Sequence, residues 1–195
     1  MKIRILPATV ALLASVSVAH AAGTPTTYHD DKSGFTMTFP AGWTKSHDPL
    51  SRQQRVVFQG PHYKEAGESC GVIVADEPAT ASMTQAQIDA DIKSGSELKL
   101  EIAQIQQQIP AAKLLSQSII TIDGHAAQQY VMSVPFPLPQ GGTVDEVIRN
   151  IGISQPGTGF AIDCTARKAN YDSLKGDFDP VVMSFKITKH APATK

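Results

Sequence analysis

Residues 84–110, TQAQIDADIKSGSELKLEIAQIQQQIP, decide the fold class, because here the apolar side chains begin to recur at steps of three and four. Ile88, Ile92, Gly95, Leu98, Ile102, Ile105 and Ile109 fall on one stripe, the pattern of an amphipathic helix with one face turned to a core. Thr84 with Gln87 three residues later forms a capping box, which satisfies free backbone donors at a helix start. Pro110 ends the pattern, since proline neither donates a backbone hydrogen bond nor fits a helix interior. The glutamine-rich run from Gln104 to Gln108 is the wet face. One long helix is expected, weakened at Gly95, where glycine costs up to about 1 kcal/mol relative to alanine.

Outward from the helix the period is two. Upstream, Phe35, Met37 and Phe39 alternate with threonines in Gly34-Phe35-Thr36-Met37-Thr38-Phe39-Pro40, and Trp43 follows the turn Pro40-Ala41-Gly42. Arg55-Val56-Val57-Phe58-Gln59 and Cys70-Gly71-Val72-Ile73-Val74-Ala75 read as two further strands, the second closed by Asp76-Glu77-Pro78. Their connections are short enough for an antiparallel meander. Downstream, strand-like runs cover residues 115–122, 126–134, 144–154 and 159–166. Asp123-Gly124 signals a hairpin between the first two, because glycine accepts the positive φ of a tight turn. The gap at 135–142 is too long and proline-rich for one, and Ser154-Gln155-Pro156-Gly157-Thr158 makes the third connection. Residues 170–178 and 179–185 read as helical, with Pro180 opening a new turn capped by Asp179.

Three strands, a long helix, four strands and a short C-terminal helix give an α+β fold: an antiparallel sheet of about six to seven strands covered by helices. No repeat or linker divides it, so residues 22–188 read as one domain. Residues 23–27 and the tail 189–195 are small, polar or proline-bearing and read as loose.

Residues 1–21 read as a cleavable signal peptide. Lys2 and Arg4 precede an apolar run at 5–18, and Ala19-His20-Ala21 is a small-x-small cleavage site. The run is shorter than the roughly 20 residues that span a bilayer. No cysteine follows it to carry a lipid. An exported soluble protein, periplasmic or secreted, with no membrane insertion after cleavage is expected. Without Lys2 and Arg4, 15 basic residues stand scattered against 18 acidic ones, which argues against nucleic acid as a partner. Cys70 is in phase with Val72 and Val74, and Cys164 with Phe160 and Ile162, so both point to the apolar side of their strands. In an oxidising compartment an even count favours a Cys70–Cys164 disulfide, formed if the two strands are neighbours. Two buried free thiols are the alternative.

Tyr28 and the segment Gly34-Phe35-Thr36-Met37-Thr38-Phe39-Pro40-Ala41-Gly42-Trp43 resemble the opening of the PsbP-like family, named for the extrinsic protein of photosystem II. Tyr171, Phe178 and Met183-Ser184-Phe185 resemble its closing helix, and Ile122-Asp123-Gly124-His125-Ala126-Ala127 its middle hairpin. The resemblance spans most of residues 28–188 and implies an α-β-α sandwich on an antiparallel sheet. It implies protein binding rather than catalysis, since members include assembly factors, Ran-binding proteins, secretion chaperones and bacterial exported proteins. The lipid-attachment cysteine common among bacterial relatives is not in this chain.

The residues that could carry chemistry do not converge in sequence. His29, His47, His62, His125 and His190 follow the leader, without the helical spacing of a metal motif. His29-Asp30-Asp31 reads as a solvated turn. Ser46-His47-Asp48 sets triad residue types side by side, where adjacent residues do not form the relayed geometry. Lys93-Ser94-Gly95-Ser96-Glu97 lies within the helix, and Gly157-Thr158-Gly159 is a bend rather than a phosphate loop. Asp76-Glu77 and Asp145-Glu146 read as solvated pairs at strand edges. Asp163 faces away from the apolar side, where Arg149 on the preceding strand is a structural partner for it. No catalytic residue, metal site or cofactor is expected.

Two segments are candidates for contact with a protein partner. Phe136 and Leu138 alternate with prolines between residues 135 and 142, and prolines stiffen an extended chain and lower the entropy lost on binding. The alternative is that both side chains fold back over the sheet edge. His62 and Tyr63, in the polar loop Gly60-Pro61-His62-Tyr63-Lys64-Glu65, are the second candidate. The expected role is a non-enzymatic exported protein that binds another protein in assembly, as a chaperone or as an inhibitor. A small-ligand cavity between helix and sheet is the next reading, and a hydrolase with an unrecognised site the third.

Overall fold

The computed structural model describes residues 23–46, 54–138 and 141–188; the expected leader and tail lie outside them. In chain order the elements are β1 (Thr26–Asp30), β2 (Phe35–Phe39), β3 (Thr44–Lys45), β4 (Gln54–Gln59), α1 (Tyr63–Ala66) and β5 (Ser69–Glu77). Next come α2 (Gln85–Ser94), α3 (Ser96–Gln108), β6 (Lys113–Ile122), β7 (His125–Pro137) and β8 (Thr143–Gln155). The chain continues through β9 (Gly157–Arg167), α4 (Lys168–Met183) and β10 (Lys186–Ile187). Seven strands form an antiparallel sheet in the order β3-β4-β5-β9-β8-β7-β6, and three form a smaller one, β1-β2-β10.

The α+β class and the antiparallel pairing hold, while the arrangement departs from the sequence reading in four places. The first three strand runs are not one meander: β2 leaves β4 and β5 and pairs with β1 and β10. Alternation marks one buried face and is silent on which sheet the strand joins. β1 begins at Thr26, inside the segment read as loose, and carries His29 in a strand rather than in a solvated turn. The terminal helix is not short, and it runs unbroken from Lys168 to Met183 with Pro180 inside it. Phe178, Val181 and Val182 are fully buried on either side of that proline, and their burial outweighs one missing backbone hydrogen bond.

The fourth departure is the long helix, which is two. Gly95 has φ +69° and closes α2 with its N–H donated to the Ile92 carbonyl, while α3 starts at the next residue. Ile92 and Leu98 are six residues apart, which on a continuous helix of 3.6 residues per turn would set them about 120° apart. The left-handed glycine redirects the axis, so that both reach the sheet. Ile88 and Ile92 pack with Ala126, and Leu98 and Ile102 pack with Tyr130, Met132 and Val134.

The two faces of the large sheet are therefore covered over different halves. On one face β2 and α4 enclose Cys70, Val72, Val147, Ile151, Phe160 and Ile162. On the other, α2 and α3 lie over β7. Cys70 and Cys164 stand directly opposite in the β5–β9 pairing and form a disulfide across 94 positions of sequence, so the expected bridge is present and the free-thiol alternative is not.

Replacing both cysteines by alanine is expected to cost up to about 4 to 5 kcal/mol of unfolding free energy, because the bridge closes a long loop of the unfolded chain. Denaturant titration measures the loss, and labelling of the unfolded, unreduced wild type should find no free thiol. Gly95→Ala tests the helix break by its sign. In a continuous helix alanine would add about 1 kcal/mol. At a left-handed position it should instead lower stability by about 1 to 2 kcal/mol.

Candidate functional site

The proline-framed segment begins as strand, with Pro135–Pro137 closing β7. β7 and β8 continue through the pairs Pro135↔Asp145, Phe136↔Val144 and Pro137↔Thr143. Their neighbours have already stopped: β6 begins at Lys113 opposite Ser133, and β9 ends at Arg167 opposite Glu146. The pairs beyond Val134 thus form a two-stranded arm with, among the described residues, no strand on either side. Prolines at 135 and 137 suit it, since they lack the donors that pairing on both sides would require. At the tip the Leu138 N–H donates to the Gly142 carbonyl at 3.0 Å, and Gly141 and Gly142 hold φ of +91° and +83°. Phe136 continues the face of Tyr130, Met132 and Val134, yet it is 39% exposed, and Leu138 is half-buried.

His62 and Tyr63 belong to a corner rather than an extended polar loop. Tyr63 opens α1 and is 41% exposed, and His62 precedes it. Glu68, fully buried, accepts a hydrogen bond from the His62 N–H through Oε2 at 2.9 Å. Its burial raises its pKa. Gly60 makes room for this carboxylate, because a Cβ there would lie 2.3 Å from Glu68 Cδ. Arg167 fastens the corner to β9 by donating from Nη1 to the Glu65 carbonyl at 2.8 Å. Arg167 also stands opposite Glu146 at the base of the arm. The two candidate sites, far apart in sequence, thus lie at one end of the large sheet.

A groove of about 830 Å³ runs between α4 and the β6–β8 half of the sheet, lined by Leu115, Val131, Val147, Arg149, Tyr171 and Asp179 among others. Arg149 donates from Nε to Gln129 Oε1 at 2.8 Å and pairs through Nη1 with Asp179. The expected Arg149–Asp163 pair does not form. Asn150, not Arg149, is opposite Asp163, and successive residues of a strand point to opposite faces.

Asp163 instead accepts from Asn150 Nδ2 at 2.7 Å on the face beneath α3. Glu101 shares that face, with Oε2 accepting from Gln128 Nε2 at 2.9 Å and Oε1 from the Tyr130 hydroxyl at 3.3 Å. Glu77, Glu101, Gln128 and Asn150 line a smaller cavity of about 280 Å³. Burial raises the pKa of Asp163, Glu101 and Glu77. The sequence points Asp163 to that side and carries no sign that Glu77 and Glu101 join it there. Side-chain amides of Gln128 and Asn150 and the Tyr130 hydroxyl are the donors to Glu101 and Asp163. Among the described residues no three His, Cys, Asp or Glu side chains converge as a metal ion would require. Of Ser46-His47-Asp48, the last two lie outside the described residues.

The fold is similar to that of cyanobacterial PsbP from Synechocystis sp. PCC 6803, with a TM-score of 0.54 and 18% identity over 90% of this chain and 98% of that one. It is also similar to the Ran-binding protein Mog1p of Saccharomyces cerevisiae, with a TM-score of 0.53 and 12% identity over 85% of this chain and 96% of that one. No curated protein matches the sequence. The family described as PsbP matches residues 24–187, from just before β1 to the end of β10, and the chain belongs to that family.

Proposed function

We propose that the protein is an exported, non-enzymatic protein that binds another protein, in an assembly, chaperone or inhibitor-like role. The observation that carries the reading is the arm: Phe136, 39% exposed, on a hairpin that projects past both neighbouring strands. A large aromatic side chain on a proline-stiffened strand pair offers contact area at little ordering cost. The corner of His62 and Tyr63 stands at the same end and would widen the contact. The name of the yeast neighbour, a Ran-binding protein, supports protein binding on this fold. The signal-like residues 1–21 and the disulfide support export. On this reading the mature domain spans residues 22–188, followed by a short tail. A small ligand is the second reading, favoured by Arg149 in the groove beneath α4, where a carboxylate could take the place of Asp179.

The double change Phe136→Ala and Leu138→Ala should weaken partner binding at least about tenfold, the usual effect of removing an interface anchor. It should leave unfolding free energy within about 1 kcal/mol, whereas a buried phenylalanine would cost roughly 3 to 5. Affinity capture from an exported-protein fraction, with mass spectrometry of what is retained, measures the first, and denaturant titration the second. Unchanged capture at unchanged stability would make the arm a spacer and move the contact to Tyr63.

A further inference from the structure

Three of the four sheet edges among the described residues are short or carry charge. β3 and β10 have two residues each, with Lys45 and Lys186, and β1 has five, ending at Asp30. β6 differs. It is ten residues long, forms the free edge of the seven-stranded sheet, and has neither charge nor proline from 114 to 122. Leu115 and Ile119 on it are 52% and 36% exposed. An edge of this kind exposes backbone donors and acceptors ready to pair with another strand, and along residues 116–122 none of the usual guards, charge, proline or a bulge, interrupts it.

We propose that β6 is a dimerisation edge, at which β6 of a second copy pairs antiparallel about a two-fold axis passing beside Ile119. The regular part of the edge is self-complementary about that residue. The β6–β7 register is irregular between Leu114 and Ser116, which leaves residues 116–122 as the regular segment, with Ile119 at its midpoint. Alternation restricts the register further. Ile120 and Ile122 turn to the core with Ala127, while Ile119 turns to the other face, so a slip of one residue would oppose side chains of opposite faces. Slips of two set Ile119 against Gln117 or Thr121. The register centred on Ile119 sets it against its own copy, a β-branched cross-strand pair that covers both exposed side chains. Gln117 then faces Thr121, and Ser118 faces Ile120. No like charges meet along the segment. Such a contact is isologous and closed, which ends the pairing at two copies.

Sedimentation of the mature protein over a wide concentration range tests the proposal. A reversible dimer is expected. Ile119→Lys should raise its dissociation constant at least about tenfold. The same variant should keep the wild-type unfolding transition, since the side chain lies on the surface. Independently, Ile119→Cys should cross-link to its copy under mild oxidation, because directly opposed Cβ atoms lie about 4.5 to 5.5 Å apart. Gln117→Cys should not, as its two copies would be separated by four residues, about 13 Å along the strands. A monomer at every concentration overturns the proposal, including one that takes up a strand from a different protein. So does a dimer that survives Ile119→Lys, or equal cross-linking at both positions.

Discussion

Phe35 lies edge-on to Phe160, with 6.0 Å between ring centroids, and stacks on Phe185 at 5.5 Å. Through these contacts β2 joins the central strand β9 to the chain segment that follows α4. Phe39 stacks on Phe58 at 3.8 Å, which fastens the same strand to β4. All these rings are nearly or fully removed from solvent. Aromatic burial of this size dominates the energetics of a core. This seam, with Tyr28 edge-on to Phe58 at 6.5 Å, packs the small sheet against the large one. β10 then completes it, the Ile187 N–H donating to Asp123 Oδ2 in the β6–β7 turn.

Because β2 and α4 occupy one half of one face, and α2 and α3 the other half of the opposite face, each face keeps an uncovered portion. The groove with Arg149 is one of these, and the cavity with Glu101 and Asp163 lies toward the other. None of these features comes from a special residue. They follow from how far each helix reaches across a seven-stranded sheet. The arm has a different origin, since two prolines let β7 and β8 continue where β6 and β9 cannot follow.

Strands and helices were legible wherever side chains alternate with a clear period. The run from Phe35 to Phe39, the valines and isoleucines from Cys70 onward, and the hairpin at Asp123-Gly124 all lie where their patterns place them. Periodicity failed where the outcome depended on competition. At Gly95 a continuous helix competed with two helices aimed at different parts of the sheet, and the six-residue gap between Ile92 and Leu98 was the overlooked sign. At Pro180 local stop chemistry competed with burial of Phe178, Val181 and Val182, and burial prevailed.

The sequence by itself determined the α+β class and the family, through the order of its periodic segments, and the apolar side on which each cysteine lies, through neighbours within a few positions. Tertiary structure alone decided that β2 changes sheets, that Arg149 meets Asp179 while Asp163 meets Asn150, and that the arm and the His62–Tyr63 corner share one end. Alternation says that a side chain is buried and not against what. Strand order and register, set by long-range packing, supply the partner.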